Sequence, residues 1–308
     1  MSLQHTSLRQ LRALGATIRT GTVTAAAQEL NVTPPAISLQ LKQIEELAGV
    51  KLLDRVEGGM RATDAGRALA DTAARIEALL VEAGDTIDEI KGARAGHVHV
   101  GVVSTAKYFA PRVLAAFRQG HPGVDIRLSV GNREETIAAL EEFAIDFAVM
   151  GRPPNRFDVE RAVIGPHPHV IVAPPDHALV GRRYVSPRTL SDETFLMREQ
   201  GSGTRMLTEQ LLAETGAAPS IGMEFDSNET IKQAVMAGLG IALLSAHTVA
   251  VELADGRLAM LDVVGLPIMR QWLAVRRAER RVMPAASLLW DFFVARGGSF
   301  LPPVAVEP

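Results

Sequence analysis

The stretch Ala25-Ala26-Ala27-Gln28-Glu29-Leu30-Asn31-Val32-Thr33-Pro34-Pro35-Ala36-Ile37-Ser38 decides how this chain reads. Thr24 caps a short Ala-rich helix from Ala25 to Leu30, Asn31-Val32-Thr33 makes a tight turn, and Pro34-Pro35 open the next helix, where a missing amide hydrogen is tolerated. Upstream, Leu8, Leu11, Leu14 and Ile18 recur at helical spacing and Gly21 stops that helix. Downstream, the helix opened by the prolines runs to about Leu47, with Ile37, Leu41 and Ile44 facing inward. Its outer face carries Ala36, Leu39, Gln40 and Gln43, flanked by Ser38 and Lys42. Small, hydroxyl and amide groups on a helix that follows a compact partner helix and a tight turn suit the DNA major groove. Thr33, Pro34 and Pro35 leave unpaired amides at a helix start, a seat for a phosphate. Gln40 and Gln43 then read adenine edges and Leu39 meets a thymine methyl. Beyond, Lys51-Leu52-Leu53-Asp54-Arg55 and Met60-Arg61-Ala62 flank Glu57-Gly58-Gly59 as a two-stranded wing, with Arg55 near the minor groove.

The whole chain has 308 residues, enough for two domains or one domain with an appended module. At 47% hydrophobic and 22% charged it has a globular composition, and with no cysteine it has no disulfide framework, thiolate nucleophile or Cys-based metal site. The start, Met1 to Thr6, lacks the features of a signal peptide, and no run approaches the ~18 apolar residues of a membrane span, so a cytoplasmic protein without membrane contact is expected. The net charge of −3 hides an asymmetry. Residues 1–62 carry 7 Lys/Arg against 5 Asp/Glu, residues 63–91 carry 3 against 7, and the remainder is near neutral.

The acidic segment places Leu69, Ala73, Ile76, Leu80, Ala83, Ile87 and Ile90 at alternating spacings of four and three after a Thr63 cap. Such a seam pairs with a second helix, and the alternative is a long amphipathic helix packed on its own domain. Two reading helices joined by one coiled coil require a dyad-symmetric operator in double-stranded DNA.

After a hinge at Gly92-Ala93-Arg94-Ala95-Gly96, strands alternate with helices, as in parallel α/β units. Strands are expected over 97–103, 125–130, 146–150, 170–173, 194–197, 221–225, 241–244 and 271–275, with helices near 108–119, 133–142, 206–214, 229–237 and 283–295. The organisation expected is a DNA-binding domain over 1–62, a linker helix over 63–92 and an effector domain over 93–308. In the last, lobe I takes about 97–166 plus 270–300 and lobe II about 167–269. Polar groups gather where strands end and helices begin: Ser104, Thr105 and Lys107; Asn132 and Arg133; Arg152; Gly201, Ser202, Gly203, Thr204 and Arg205; Ser227 and Asn228. Glycines, hydroxyls, helix starts and basic side chains together suit a phosphate or carboxylate, although each hydroxyl alone is an ordinary helix cap. Ser104-Thr105-Ala106-Lys107 matches the S-x-x-K of penicillin-binding enzymes, but no K-T-G or S-D-N partner accompanies it. His97/His99 and His167/His169 each share a strand face, with no further ligand at metal-binding spacing; they are read as strand or loop histidines, and neither a catalytic nor a metal site is expected.

The quoted stretch, with Leu53-Asp54-Arg55 and Thr63-Asp64-Ala65-Gly66, resembles the winged helix-turn-helix of LysR-type transcriptional regulators. Pro34 and Leu39 depart from that family's commonest Gln and Arg. In the body, Val102-Val103-Ser104-Thr105-Ala106-Lys107-Tyr108-Phe109, Gly131-Asn132-Arg133-Glu134, Met150-Gly151-Arg152-Pro153-Pro154, Gly201 to Arg205 and Ser227 to Lys232 are similar to its CbbR-like branch, which regulates Calvin-cycle operons. The resemblance implies an α+β multidomain chain: winged helix-turn-helix, dimerisation linker helix and a two-lobed α/β domain of the periplasmic-binding-protein kind. It also implies control of carbon-fixation genes through a phosphorylated metabolite or NADPH, with RNA polymerase as a partner and dimers assembling into tetramers. The residues by themselves say an anionic small ligand and no cofactor. A regulator of another metabolic operon, or a small-molecule-binding protein, remains the alternative.

Overall fold

The computed structural model describes residues 3–90, 96–280 and 282–304; within the long helix below, the side chains of residues 81, 82, 85, 86 and 88–90 are outside the described set. The expected hinge at 92–95 and the Ile90 side chain thus lie outside the described residues. The chain divides into two compact units, Met1–Ile87 and Asp88–Pro308.

In the first unit, α1 (Leu8–Thr20) starts on a Ser7–Gln10 capping box and ends at Gly21, whose φ of 74° is left-handed. Helix α2 (Val23–Glu29) begins before the expected Ala25. Thr22, not Thr24, has the extended backbone of a cap, and its Oγ1 accepts from the Ala25 amide at 3.1 Å. Helix α3 spans Pro34–Ala48, and β1 (Leu53–Val56) pairs antiparallel with β2 (Gly59–Ala62) as the wing. Leu11, Leu14, Ala26, Ala27, Ile37, Leu41 and Ile44 form the core. Thr63 caps α4 (Asp64–Ile90), its Oγ1 accepting from the Gly66 amide. A methyl at Gly66 would lie 1.9 Å from the Leu52 carbonyl oxygen, so only glycine lets α4 start this close to the wing.

The seam along α4 is not uniform. Ala73 is buried in the head's core, Leu69 and Ile76 pack against it, and Arg12 pairs with Glu77 at 2.7 Å. Leu80, Ala83 and Ile87 are exposed, Leu80 at 45% and Ile87 at 51%. The expectation of one continuous partner-facing seam is therefore corrected. A 27-residue helix outreaches the small head, so the same apolar stripe first closes the head's own core and only its distal part is left uncovered within the unit.

The second unit opens with β3 (His97–Val103), α5 (Ala110–Gly120), β4 (Asp125–Gly131), α6 (Arg133–Glu141) and β5 (Phe147–Met150). Then come β6 (Val159–Ala173), β7 (Thr194–Arg198), α7 (Gly203–Thr215), β8 (Ser220–Phe225), α8 (Asn228–Met236) and β9 (Ala242–Ser245). The chain closes with α9 (Ala250–Ala254), β10 (Ala259–Met260), β11 (Ile268–Arg277) and α10 (Pro284–Arg296). Strands β4, β3 and β5 are parallel, as expected. The long pair β6 and β11 is antiparallel and carries the sheet from one lobe to the other, in the order β10-β6-β11-β5-β3-β4 with β9 also on β6. One core lies around Val100, Phe117, Phe147 and Leu289; the second lobe packs around Phe195, Ile241 and Leu243 and around Val170, Val235 and Leu244.

The strand expected over 170–173 is the end of a longer one that starts at Val159 and contains Pro166 and Pro168. They fall where β6 is paired with β11 alone, before β9 joins at His169. A proline is tolerated at such an edge, where an absent donor need not break a ladder.

Candidate functional site

The outer face of α3 is open. Thr33, Pro34, Pro35, Ser38, Leu39 and Lys42 are exposed, Ala36 and Gln40 half-buried, and the helix start has two prolines after an extended Thr33 with no side-chain cap. Arg55 is exposed on β1. Gln43 differs from the rest: its Oε1 accepts from Gln10 Nε2 at 3.2 Å, so it ties α3 to α1 as well as facing outward. A residue that sequence reasoning missed sets the wing. Glu45 Oε1 accepts from the Leu52 and Leu53 amides at 2.9 and 3.3 Å, and its Oε2 meets Lys51 Nζ at 3.0 Å. An acid one helical turn past Leu41, on the flank of the core stripe, was the available signal.

In the second unit a cavity opens between the lobes, enclosing about 660 Å³ of space including its solvent-filled mouth. The ends of β3 and β5, the start of α6 and the first turns of α7 line it, with β6 and β11 supplying one wall. Of the expected residues, Ser104, Thr105, Asn132, Arg133, Arg152, Ser202, Gly203 and Thr204 line this space. Asn132 is divided in role, since its Oδ1 caps α6 by accepting from the Glu135 amide at 3.0 Å. Arg133 donates to the carbonyls of Arg152 and Pro153 at 3.3 and 3.2 Å; burial first, and then Arg152, lower its pKa.

Five expected residues do not line it. Lys107 sits 3.6 Å from Glu229 and over the Tyr108 ring. Arg205 is taken up by Glu209, Glu224 and the Arg198 carbonyl. Ser227 caps α8, Gly201 accepts from the Glu134 amide across the lobes, and Asn228 holds the buried Arg198 guanidinium. Each lies at a strand end, as expected, but a nearer partner had a claim on it: a carboxylate for Lys107 and Arg205, an α8 amide for Ser227, a backbone amide for Gly201 and a guanidinium for Asn228. Arg198, 2% exposed, pairs with Glu199 at 2.7 Å, and Asn228 Nδ2 donates to Ser104 Oγ at 3.3 Å, so this cluster joins the lobes beside the cavity.

Sequence reasoning missed Gln210, Arg270, His167 and His169 in the lining. Arg270 Nη2 donates to Gln210 Oε1 at 3.2 Å. Register with β6 brings Arg270 opposite His167, a proximity no local spacing reveals. The two histidines alternate onto one face of β6, and that i, i+2 spacing was the one visible signal. His167 stacks on Trp272 with centroids 3.7 Å apart, its Nε2 lies 3.0 Å from Ser245 Oγ, and its Nδ1 is buried without a partner. Trp272 Nε1 donates to His247 Nδ1 at 3.0 Å. Burial pushes His167 well below the ordinary histidine value and lowers His169 and His247 to about 4, so all three are neutral near pH 7. The lining holds Arg133, Arg152 and Arg270 and no carboxylate. Chemically, the space can hold an anion between guanidinium groups, hydroxyls and the α7 start.

Comparison with known proteins gives a consistent set of matches. The description "Bacterial regulatory helix-turn-helix protein, lysR family" matches residues 8–67, and "LysR substrate binding domain" matches residues 91–298. The chain is 50% identical over 300 residues to the HTH-type transcriptional regulator CbbR of Xanthobacter flavus, covering 97% of this chain and 90% of that one. It is 41% identical over 291 residues to a RuBisCO operon transcriptional regulator of Allochromatium vinosum, covering 94% and 96%. Among solved structures, the regulatory domain of Synechocystis CcmR in complex with 2-PG superposes with a TM-score of 0.63 at 34% identity, covering 65% of this chain and 96% of that one.

Proposed function

From the premise that this chain belongs to the LysR family of transcriptional regulators and is of the CbbR type, we propose that it controls carbon-fixation genes in response to an anionic metabolite held between its two lobes. The observation that carries the ligand class is a cavity lined by Arg133, Arg152 and Arg270 without any carboxylate. The 2-PG complex of the similar CcmR domain and the RuBisCO operon relative support the same direction. Among the described residues no helix is long and apolar enough to cross a membrane.

In this reading α3 enters the major groove of a dyad-symmetric operator, with Gln40 and Leu39 at base edges and Arg55 on the backbone near the minor groove. Leu80, Ala83 and Ile87 on the distal part of α4 pair with a second copy, and dimers join into a tetramer that contacts RNA polymerase. A ligand that prefers one lobe arrangement shifts the population by its differential affinity and no further. The test is fluorescence anisotropy on intergenic DNA beside the protein's own gene, titrated with 2-PG, NADPH, ribulose 1,5-bisphosphate and phosphoenolpyruvate. A specific, salt-dependent complex altered by one of them is expected. Binding that ignores every anion removes the cleft reading, and no specific binding removes the operator reading.

A further inference from the structure

The floor of the cavity is built from neutral imidazoles rather than from fixed charge. His167 and His169 lie with ring centroids 4.2 Å apart on β6, backed by Trp272 of β11, by Ser245 at the end of β9 and by His247 just after it. The groups facing the pair are all neutral or cationic: Arg270 of β11, His247, and Arg152 after β5 across the cavity. His247 is held neutral on the Nδ1 side, because that nitrogen accepts the Trp272 indole N–H. His169 is arranged differently. Its Nδ1 lies 3.2 Å from the His167 carbonyl, and the carbonyls of His167 and Ile268 both favour its charged form against burial and Arg270. The remaining nitrogen, His167 Nδ1, is a buried ring atom with no partner at the cavity wall, so close to Gly151 that a methyl there would lie 2.9 Å from it.

We propose that the cavity binds a ligand carrying at least two negative charges together with one proton taken from solvent, and that this proton is shared by the His167–His169 pair. The inference rests on the anionic-ligand reading above and goes beyond it. With the site empty, burial and the arginine field oppose a charged imidazole. A bound dianion offsets most of that field, and a histidinium then has ready acceptors: the Ser245 hydroxyl and two carbonyls already in place, and the ligand itself for His167 Nδ1–H. A single proton is shared because two imidazolium rings 4.2 Å apart repel each other. The pair is thus a specificity element, rewarding highly charged anions over monoanions more than the arginines alone would.

The experiment is calorimetric titration of the full-length protein with sulfate, whose charge is constant over the range used, and with 2-PG, between about pH 7.5 and about pH 5.5 in buffers of different ionisation heat. Uptake of up to one proton per cleft is expected, with sulfate affinity rising by as much as about tenfold per pH unit as pH falls. His169→Gln and His167→Gln flatten this dependence, so that the affinity each variant retains no longer changes with pH. Ring-nitrogen NMR of the unmodified protein, which needs no variant to fold, shows a histidine becoming doubly protonated on saturation. Binding with no proton uptake and no pH slope, weakened by Arg270→Ala, overturns the inference and leaves the anionic reading standing. No binding of either probe at any pH overturns both.

Discussion

The recognition helix and the cavity are both recognition surfaces, and they are made in opposite ways. On α3 the presented groups come from one contiguous turn-and-helix segment, and most stand in solvent with their donors and acceptors uncommitted. In the cavity they arrive from the ends of β3 and β5, the starts of α6 and α7 and the middles of β6 and β11, and several are already bonded to one another. An open helix face can be altered one residue at a time with local effect. A buried polar floor cannot, because each group there is partner to another and an orphaned one carries its full desolvation cost.

The contrast is tested first at Trp272, fully buried and in contact with Phe109, His167 and His247. Trp272→Ala is expected to cost the second unit about 3–5 kcal/mol in urea unfolding and to abolish ligand binding. A loss under 1 kcal/mol would show the floor to be as separable as the helix face. Acid should act next. With His169 and His247 near 4 in the folded chain against an ordinary 6.5, their contribution is complete above pH 6.5 and is lost as pH falls towards 4, where the unfolded chain binds more protons. The stability read from urea unfolding between pH 7 and pH 4 is expected to fall, by on the order of 3 kcal/mol for each of these two histidines, and His169→Gln should lessen the slope. An unchanged slope in that variant would place the acid sensitivity elsewhere.

Arg270→Ala is expected to weaken anion binding by roughly 1.5–3 kcal/mol with operator affinity retained, as read by calorimetry and anisotropy on the same preparation. On the helix face, Gln40→Ala should cost about 1–3 kcal/mol at a single base pair. Arg55→Ala should give the smallest and most uniform effect, a loss across all sequences with the salt slope reduced by about one. Equal losses on all sequences from both variants would show that α3 does not read bases through Gln40.

How much was legible follows the same division. The capping residues, apolar spacing and prolines around Ala25–Ser38 are local, so α1, α3 and the wing could be read directly, and the cap of α2 slipped only between two threonines of one segment, Thr22 and Thr24. The parallel strands β3, β4 and β5 were legible from alternation with their helices. The reach of β6 through Pro166 and Pro168 was not legible, because their tolerance depends on which neighbours the strand has at those positions. Along α4, spacing showed an apolar stripe but not what covers it; Leu69, Ala73 and Ile76 are taken by the head.

By itself, then, the sequence determined the two recognition elements as types: a helix with small and amide groups outward, and strand ends rich in hydroxyls, glycines and arginines. Tertiary structure decided which of those polar groups face the cavity. Arg205 was drawn to Glu224, besides Glu209 one helical turn away, and Lys107 to Glu229, the distant carboxylates being ones that only folding brings near, while β6–β11 register carried Arg270 and Trp272 to His167 and His169. The physical reason is range. Helix caps and apolar periods are settled by neighbours a few residues away, whereas the partner of a charge or a buried ring is settled by packing between segments far apart in the chain.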